Sequence, residues 1–588
     1  MQTVSDFLVA RLGQWGVGRV YGYPGDGING LLGALDRARG RIDFVQARHE
    51  EMAAFMACAH AKLTGQAGVC MATSGPGAIH LLNGLYDARL DHQPVVAVVG
   101  QQARASLGGD YQQEVDLLSL FKDVAHDYVQ VAQDPAQVRH LVDRAMRIAL
   151  ERRAVTCIIV PNDVQALPAV PEPPREHGTV HSGIGDTVHA RLPPDEGLDR
   201  AADLLNRGER VAILAGAGAL HAGSELAEVA ERLGAGVAKA LLGKAVLPDT
   251  LPWVTGAIGM LGTRPSWELM DGCDTLLMVG TSFPYAEYLP REGQARAVQI
   301  DVDGSRIGLR YPVDVGLVGD SRQALRALLP RLQPRQEHRW RERIEQSVRK
   351  WRETVAARAM EPARPINPQR VFTELSRRLP PRCILTGDSG TAAVWYARDV
   401  EMREGMSGTL SGGLASMGSA VPYAIAARLA HPDRPVVALA GDGAMQMNGI
   451  NELITVAARW RDWPDAPFAV AVLNNGDLNM VTWEQRAMGG DPRFPASQAL
   501  PDFSYAGYAR MLGLAGRRVE TPEDIGPAWD EALASARPMV LEFMTDPDVP
   551  PLGPHADMKQ VRAYLSALRG EGGSRMDLLR ATLRQWWA

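Results

Sequence analysis

The stretch Pro435-Val-Val-Ala-Leu-Ala-Gly-Asp-Gly443 decides how this chain folds, together with Leu473-Asn-Asn475 further along. Its apolar run predicts a buried strand, and the glycines that follow let the backbone approach a phosphate closely. Asp442 and Asn475 are 33 positions apart, which leaves room for one helix and the next strand. Because parallel strands end at the same edge of a sheet, we expect both side chains there, binding a diphosphate through Mg²⁺.

Composition is typical of a protein with several α/β domains. With 588 residues the chain is too long for one core, and roughly 100 to 200 residues per domain predicts three or four domains. Its 59 glycines and 46% hydrophobic residues suit sheets with many strand-to-helix turns. The 62 basic and 68 acidic residues give a net charge of −6, so no nucleic-acid partner is expected.

Cysteines and apolar segments indicate a cytoplasmic location. The five cysteines are far apart and form no CxxC pair, so neither a disulfide framework nor a zinc site is expected. The first residues carry no basic region of a signal peptide. The apolar runs have strand length, short of the roughly 20 residues that a bilayer span needs. We expect a cytoplasmic protein, with at most a peripheral attachment to the inner face of the membrane.

Two breaks in composition divide the chain. Proline-rich residues 166–195 predict a linker, and residues 336–368 predict a charged helical linker. Between these breaks, short apolar strands alternate with helices, so the predicted fold class is α/β, with three consecutive Rossmann-like domains built on parallel sheets. The predicted domains are residues 1–165, 196–335 and 369–550, followed by a C-terminal tail over residues 551–588.

Further motifs accompany the two already quoted. Arg48-His-Glu-Glu51 and Ser74-Gly-Pro-Gly77 each follow a predicted strand, and Gly280-Thr-Ser-Phe-Pro-Tyr285 lies in the central domain. With these motifs, essentially the whole chain resembles the thiamine diphosphate (ThDP)-dependent enzymes that decarboxylate 2-oxo acids. It is most similar to pyruvate oxidase and the quinone-linked pyruvate dehydrogenase of bacteria, and next to acetolactate synthase. The resemblance implies pyrimidine-binding, central and diphosphate-binding domains, in that order.

The resemblance implies that Glu50 is the acid–base residue. A carboxyl group beside the aminopyrimidine of ThDP can relay the proton whose movement activates the cofactor. Its neighbour Glu51 is expected at the surface. Met417, shortly before Pro422, is implied to be the apolar wedge that bends the cofactor into its reactive shape. The backbones of Ala415 and Met417 are implied to pair with the pyrimidine.

The metal and diphosphate contacts also follow from the resemblance. Asp442, Asn475 and the backbone carbonyl of Asp477 would bind Mg²⁺. Asn479 stands where the family usually has glycine, and asparagine tolerates positive φ better than most residues. The other residues implied to contact ThDP are Pro24, Gly25, Gly75, Gly441, Gly443 and Ala444.

Four residues are implied to line the substrate pocket, and two of them disagree about the reaction. Met480 matches the acetolactate synthases, which have methionine at that position, whereas pyruvate oxidases have phenylalanine there. Glu484, in contrast, lies at the distance from position 480 that is typical of the oxidases. Gln113 and Phe121 are implied to line the pocket from the pyrimidine-binding domain. These residues leave oxidation and carboligation both open.

The central domain matches positions that contact FAD in the oxidases. Asp301 ends a predicted strand and could bond a ribose hydroxyl. A flavin would not by itself prove redox chemistry, because acetolactate synthases carry one that takes no net part. The alternative is a domain that keeps its shape without flavin. The implied FAD contacts are Gly216, Gly218, Gly259, Gly262, Thr281, Phe283, Tyr285 and Asp301.

The C-terminal tail gives a separate indication. From Ser574, the sequence SRMDLLRATLRQWWA places apolar and aromatic residues at helical spacing, with arginines elsewhere on the helix. Such a helix could lie on anionic lipid, as implied by the similar tail of quinone-reducing pyruvate dehydrogenase. The alternative is a helix docked on its own protein.

The predicted function is oxidative decarboxylation of pyruvate, or a similar small 2-oxo acid, to acetate and CO₂, with ThDP, Mg²⁺ and FAD as cofactors. Quinone is the predicted electron acceptor, and oxygen with phosphate is a variant. The alternatives are an acetolactate synthase-type carboligase and a noncatalytic binding homologue. Because two domains carry half a site each, we expect at least a homodimer in which Glu50 faces the other subunit's Asp442. The resemblance implies a tetramer.

Overall fold

The computed structural model describes residues 2–185, 191–551, 553–555, 558–571, 578–579 and 582. They form three successive α/β units, each built on a six-stranded sheet whose paired strands are parallel. The prediction of three Rossmann-like units with parallel sheets is confirmed, whereas the predicted domain boundaries stay predictions. In the described ranges, every helix is too short or too polar to cross a bilayer.

The first unit has its six strands in the order β2-β1-β3-β4-β6-β5. These are β1 (Arg19–Gly22), β2 (Asp43–Gln46), β3 (Gly68–Ala72), β4 (Val95–Gln101), β5 (Val129–Val131) and β6 (Val155–Pro161). The helices are α1 (Val4–Gln14), α2 (Asn29–Arg37), α3 (Glu50–Thr64), α4 (Pro76–His80), α5 (Leu82–Leu90), α6 (Leu117–Phe121), α7 (Val138–Arg152) and α8 (Asn162–Gln165). Strands β4 and β6 are buried along their whole length, as expected of central strands covered on both faces.

The central unit has the strand order β12-β11-β10-β7-β8-β9. These are β7 (Val211–Ala215), β8 (Gly236–Lys239), β9 (Val254–Ala257), β10 (Thr275–Val279), β11 (Arg296–Asp301) and β12 (Val315–Val318). The helices are α9 (Asp195–Arg207), α10 (Gly223–Arg232), α11 (Arg264–Gly272) and α12 (Ser321–Leu328). A long charged helix, α13 (Arg339–Ala359), follows, and buries Ile344 and Val348 against the core of this unit.

The third unit has the strand order β14-β13-β15-β16-β18-β17. These are β13 (Ile384–Gly387), β14 (Ser407–Thr409), β15 (Val436–Gly441), β16 (Phe468–Asn474), β17 (Ala515–Val519) and β18 (Met539–Met544). The helices are α14 (Pro368–Arg378), α15 (Thr391–Asp399), α16 (Ala420–Ala430), α17 (Asp442–Met447), α18 (Glu452–Arg459), α19 (Asn479–Glu484), α20 (Pro495–Gln498), α21 (Tyr505–Met511), α22 (Ile525–Ala534) and α23 (Met558–Gly570).

Two packing relations position the candidate site. Strands β15 and β16 are neighbours in a register that pairs Gly441 with Leu473, so the segments that follow them emerge side by side. Helices α3 and α16 pack against each other and join the first and third units in one hydrophobic core. At this junction the rings of Phe55 and Tyr423 meet edge to face, with centroids 6.3 Å apart. The first unit is therefore held against the loops of the third unit.

The predicted C-terminal helix lies mostly outside the described residues. Leu578 packs with Trp483, Tyr564 and Leu568, so the described part of the tail docks on its own protein. Helix α23 extends this contact through a stack of the Tyr564 and Trp483 rings, 6.0 Å apart. The residues that would contact lipid, Met576, Leu583, Trp586 and Trp587 with Arg575, Arg580 and Arg584, lie outside the described residues.

Candidate active site

Asp442 lies where β15 ends and α17 begins, and its side chain ties two strand ends together. It is only 2% exposed. Its Oδ1 accepts the N–H of Gly443 at 2.9 Å, and its Oδ2 accepts those of Asn475 at 2.8 Å and Gly476 at 2.7 Å. Burial raises the pKa of Asp442 to about 6, and the three N–H donors oppose that rise. The structure therefore brings Asp442 and Asn475 together, as their spacing predicts.

Asn475 and Asp477 complete a set of oxygen atoms beside Asp442. The Asn475 Oδ1 accepts the Asp477 N–H at 3.0 Å. The Asp477 carboxylate is buried and already accepts bonds from Arg493 at 2.9 Å and Asn479 at 3.2 Å. Its backbone carbonyl accepts the N–H of Asn479 at 2.7 Å, and the second lone pair of this oxygen is the one that could bind a metal. Carboxylate, amide and carbonyl oxygens are the ligands that Mg²⁺ prefers, so the donor set fits this ion.

Asn479 explains why the usual glycine is dispensable here. It is not among the residues with positive φ, so the backbone does not require glycine. Its side-chain amide donates to the Asp477 carboxylate and, at 2.8 Å, to the carbonyl of Pro547. The asparagine therefore stabilises the turn by hydrogen bonding.

The backbone around Asp442 is open on one side and tightly packed on the other. A Cβ on Gly441 would meet no atom within 4 Å, so this backbone faces free space. A Cβ on Gly443 would lie 2.6 Å from Leu478 and 3.3 Å from the Cε of Met417. Met417 therefore lies directly against the turn. The backbone at Gly441 leaves space in which a diphosphate fits.

The segment that carries Ala415 and Met417 is held in a strained conformation. Ala415 has φ of 55°, in the left-handed region that costs a residue with a Cβ about 1 to 3 kcal/mol. Beyond it, the buried Asp388 accepts the N–H of Gly418 at 2.9 Å and that of Ala420 at 3.1 Å. Burial raises the pKa of Asp388 to about 6. The strained backbone lies where the resemblance implies contact with the pyrimidine.

Two carboxylates that support this segment were missed in the sequence. Asp388 follows an apolar strand within Gly387-Asp-Ser-Gly390, a pattern like that of Asp442, and this signal could have identified it. Asp91 accepts the N–H of Gly412 at 3.0 Å and of Gly413 at 2.5 Å, and pairs with Lys62 at 2.6 Å. No local pattern marks the contacts of Asp91 with Gly412 and Gly413, because these residues lie more than 300 positions away.

One cavity of about 2300 Å³ runs between the three units, and its lining includes Lys62, Asp91 and His92 of the first unit. A pocket for one small ligand is typically about 300–1,000 Å³, so this cavity has room for two large cofactors. From the third unit it is lined by the predicted residues Ala415, Met417, Gly441, Asp442, Gly443, Ala444, Asn475, Asp477, Met480 and Glu484. From the central unit it is lined by Gly216, Gly218, Gly259, Thr281, Phe283, Tyr285 and Asp301, but not by Gly262.

The central wall of the cavity has features that suit a nucleotide. Asp301 ends β11 at the wall, and burial raises its pKa. The exposed ring of Tyr285 meets Phe283 edge to face, with centroids 5.5 Å apart. The glycines also have a packing role, because a Cβ on Gly216 would lie 2.3 Å from the carbonyl oxygen of Gly280. A carboxylate and an exposed aromatic ring beside this glycine turn fit a dinucleotide such as FAD.

Met480 and Glu484 lie one turn apart on α19 and face the same cavity. Both are half-buried. Burial raises the pKa of the Glu484 carboxyl group above its usual value of 4.5. The residue that indicates an oxidase and the residue that indicates a synthase therefore share one wall.

Glu50 is the first residue of α3 and is 7% exposed. Its Oε2 lies 2.9 Å from Nδ1 of His80, whose ring stacks on that of His49 with centroids 4.4 Å apart. A Cβ on Gly77 would come within 3.1 Å of the other carboxylate oxygen. Glu50 thus has a histidine partner and little free volume around it.

The other predicted residues of the first unit lie in turns and in the short helix α6. A Cβ on Gly25 would lie 2.5 Å from Thr73, so Gly25 allows two turns to touch. Gly75 packs against Gln113, and both have φ of 62°. Phe121 is fully buried in the core. Among the described residues, those lining the large cavity do not include Glu50, Pro24, Gly25, Gly75, Gln113 or Phe121.

The single chain thus contains two separate groups of candidate residues. We call residues 411–418, 441–444 and 475–477 the diphosphate half, and Glu50, Gly75 and Gln113 the pyrimidine half. The diphosphate half faces the cavity, and the pyrimidine half does not.

The prediction that Glu51 lies at the surface is wrong. Its side chain is 15% exposed and lies between the first and third units. It accepts hydrogen bonds from the side-chain amides of Asn83 and, at 2.5 Å, Asn448. The prediction failed because Asn448 is 397 positions away, and only the packing of the two units brings it near.

Models of the thiamine pyrophosphate enzymes match three segments of the chain; thiamine pyrophosphate is another name for ThDP. The N-terminal TPP binding domain matches residues 2–120, the central domain residues 198–328, and the C-terminal TPP binding domain residues 388–543. These segments contain both halves and the central wall of the cavity.

Similar proteins include both an oxidase and a synthase. A putative thiamine pyrophosphate-containing protein of Bacillus subtilis is 36% identical over 549 residues, covering 93% of this chain and 92% of that protein. Pyruvate oxidase of Lactiplantibacillus plantarum is 33% identical over 443 residues, covering 75% and 72%. A probable acetolactate synthase large subunit of Methanococcus aeolicus is 31% identical over 558 residues, covering 90% and 89%.

Proposed function

Because the chain belongs to the thiamine pyrophosphate enzyme family, we propose that it oxidatively decarboxylates pyruvate or a similar small 2-oxo acid. One pyruvate, one water and one quinone would give acetate, CO₂ and quinol, and another 2-oxo acid would give the carboxylic acid that is one carbon shorter. ThDP, when bound, supplies the electron sink for decarboxylation. The observation that carries the proposal is the continuous cavity, which joins Asp442 of the diphosphate half to Asp301 of the central wall. Such a shared space would allow ThDP and FAD to lie near each other, as electron transfer between them would need.

The diphosphate half would hold the metal and the cofactor. Asp442, Asn475 and the carbonyl of Asp477 would bind Mg²⁺, because hydrogen bonds hold these residues next to one another and their oxygen atoms are of the type that this ion prefers. The open backbone at Gly441 would let the diphosphate approach. Met417, which lies against this turn, would support the cofactor with its apolar side chain. The N–H group of Ala444 would bind the diphosphate, whereas that of Gly443 donates to the Asp442 carboxylate.

Glu50 would hold and move the proton at the pyrimidine nitrogen. A positioned carboxyl group contributes acid–base catalysis, and His80 at 2.9 Å orients it. Since Glu50 does not line the cavity of its own chain, we propose that it completes the site of a second copy. The functional unit would therefore be at least a homodimer, and the tetramer implied by the resemblance contains two such dimers.

Apolar side chains at the cavity support quinone as the electron acceptor. Val481 and Met488 line the cavity and are exposed, so they offer an apolar contact next to Glu484. Attachment to the inner face of a membrane through the tail stays a prediction, because the residues concerned lie outside the described ones.

Met480 favours a second candidate function, acetolactate synthesis. It lines the same wall as Glu484 and matches the residue of the synthases. The similarity to a probable acetolactate synthase spans 90% of the chain. In this reaction a second 2-oxo acid would take the place of the electron acceptor, and the flavin would undergo no net change.

The deciding experiment is anaerobic turnover of pyruvate with and without a soluble quinone or a redox dye. We expect acetate and CO₂ in equal amounts, one acceptor reduced per pyruvate, and no turnover without acceptor. Acetolactate formed without acceptor reduction would overturn the oxidase proposal in favour of the synthase. Purified protein without ThDP, together with full function of the Glu50→Gln variant, would support a noncatalytic homologue instead.

A further inference from the structure

Glu51 joins its own first unit to the diphosphate half of the same chain. Its half-buried carboxylate accepts the side-chain amide of Asn448 at 2.5 Å. Asn448 directly follows α17, the short helix that begins at Asp442. Any displacement of Asn448 therefore acts on the helix whose first residue is the candidate metal ligand.

A second contact connects Glu51 with the strained segment of the diphosphate half. The amide of Asn83 donates both to the Glu51 carboxylate and, at 2.8 Å, to the hydroxyl oxygen of Ser416. Ser416 lies between Ala415, whose φ is 55°, and Met417. One carboxylate thus supports two separate parts of the diphosphate half.

Arg48, two positions before Glu50, has a similar contact. The N–H of Arg48 donates at 2.7 Å to the carboxylate of Glu452, the first residue of α18 in the third unit. Glu50 therefore lies between two residues that bind the third unit of its own chain. Its carboxylate contacts neither of these partners and lies beside His80 instead.

We infer that Glu51 is a positioning residue for the diphosphate half of its own chain, while Glu50 completes the site of the second copy. The inference rests on the proposed function, because it requires a ThDP site shared by two chains. Adjacent glutamates would then serve the two different active sites of one dimer. Glu51 acts through Asn448, Asn83 and Ser416, and touches no cofactor itself.

The physical basis is the strength of hydrogen bonds to a partly buried carboxylate. Bonds to a charged acceptor are roughly twice as strong as bonds between neutral groups. Removing the acceptor leaves two amides without their partner in a largely dry interface, where this is costly. We expect the turn at Asp442 and the segment at Ala415 to relax, and the affinity for ThDP to fall.

The first test is calorimetric titration of the metal-free, ThDP-free protein with ThDP in the presence of Mg²⁺. Glu51→Ala should raise the Kd for ThDP about tenfold, the effect of losing one to two such bonds. Glu51→Gln should have a smaller effect, because its amide can accept one bond and donate to a reoriented partner. The exposed Glu228 provides a matched control, and Glu228→Ala should leave the Kd unchanged.

The second test separates the two sites in a mixed dimer, purified through two different tags. When one protomer carries Glu50→Gln, the remaining active site combines its partner's intact Glu50 with its own Asp442. Adding Glu51→Ala to the protomer that carries Glu50→Gln should raise the KM for ThDP about tenfold. Adding it to the other protomer should leave this KM unchanged, because the diphosphate half affected there belongs to the inactive site.

Different results would contradict different claims. If the wild-type protein bound no ThDP, the proposed function would fail. If it bound ThDP and Glu51→Ala bound it equally tightly, only the present inference would fail. An increase in KM seen only when Glu51→Ala accompanies the intact Glu50 would also overturn it, since Glu51 would then support Glu50. Should Glu51→Ala not fold, Asn448→Ala and Ser416→Ala remove the partners and must raise the Kd in its place.

Discussion

The two halves of the candidate site differ in how much of the chain each one needs. The diphosphate half is assembled within one sheet, because β15 and β16 are neighbours and place Asp442 beside Asn475. The pyrimidine half is formed within the first unit, and its residues, including Glu50, do not line the cavity of their own chain. The difference teaches that a candidate metal site can form within one domain, whereas the proposed acid–base group would reach its cofactor only through assembly of two chains.

The largest expected effect comes from Asp442→Ala. It removes a candidate metal ligand and leaves three N–H groups, one buried and two partly buried, without their acceptor, so we expect the affinity for ThDP with Mg²⁺ to fall on the order of 10³-fold. Calorimetric titration measures this loss. Asp465→Ala, at an exposed position, is the control and should bind normally. Unchanged affinity in Asp442→Ala would remove the diphosphate half from the site.

Glu50→Gln should show the opposite pattern. The amide keeps the size of the side chain but cannot relay a proton, so we expect kcat to fall about 10²- to 10⁴-fold. The Kd for ThDP should change less than about threefold, because the diphosphate half is intact. Steady-state kinetics and titration of the same preparation measure both quantities. A large loss of affinity with little loss of kcat would show that Glu50 binds the cofactor rather than moving a proton.

Mixing two inactive variants tests whether the halves come from different chains. A dimer of one Glu50→Gln and one Asp442→Ala protomer should contain one fully intact site and one site with both defects. After random exchange of subunits, about a quarter of the wild-type activity should return. The unmixed variants are the controls. If the mixture stayed inactive although mixed dimers were isolated, Glu50 and Asp442 would belong to the same protomer's site.

The smallest expected effect on kcat concerns Glu484, which lines the same cavity as the diphosphate half. Burial raises the pKa of Glu484 above 4.5. When the pH is lowered, its carboxylate therefore becomes protonated at a pH above 4.5. If its carboxylate takes part in turnover, kcat should fall on the acidic side with a midpoint above pH 4.5. Glu484→Gln should lower kcat about tenfold and abolish this dependence. A pH profile identical to that of the wild type would exclude such a role.

Sequence reasoning succeeded where a residue and its partners follow one repeating pattern. Buried parallel strands have a recognisable composition, and they end at one edge, so Asp442 and Asn475 could be placed together. It failed for Glu51 and missed Asp91 and Asp388. Asp91 and Glu51 bind partners some hundreds of positions away, which no local pattern encodes. Asp388 has a local signal, because it follows an apolar strand, but its role depends on its contacts with Gly418 and Ala420.

The amino-acid sequence by itself determined the three parallel-sheet units and the cofactor family, because strand composition and glycine turns act over short distances. Only the tertiary structure decided that Glu51 supports the third unit and that Glu50 turns away from the cavity. Helices α3 and α16 bury apolar faces against each other, and this packing sets the rotation of every side chain on α3. Two adjacent glutamates that are alike in sequence therefore face different surroundings.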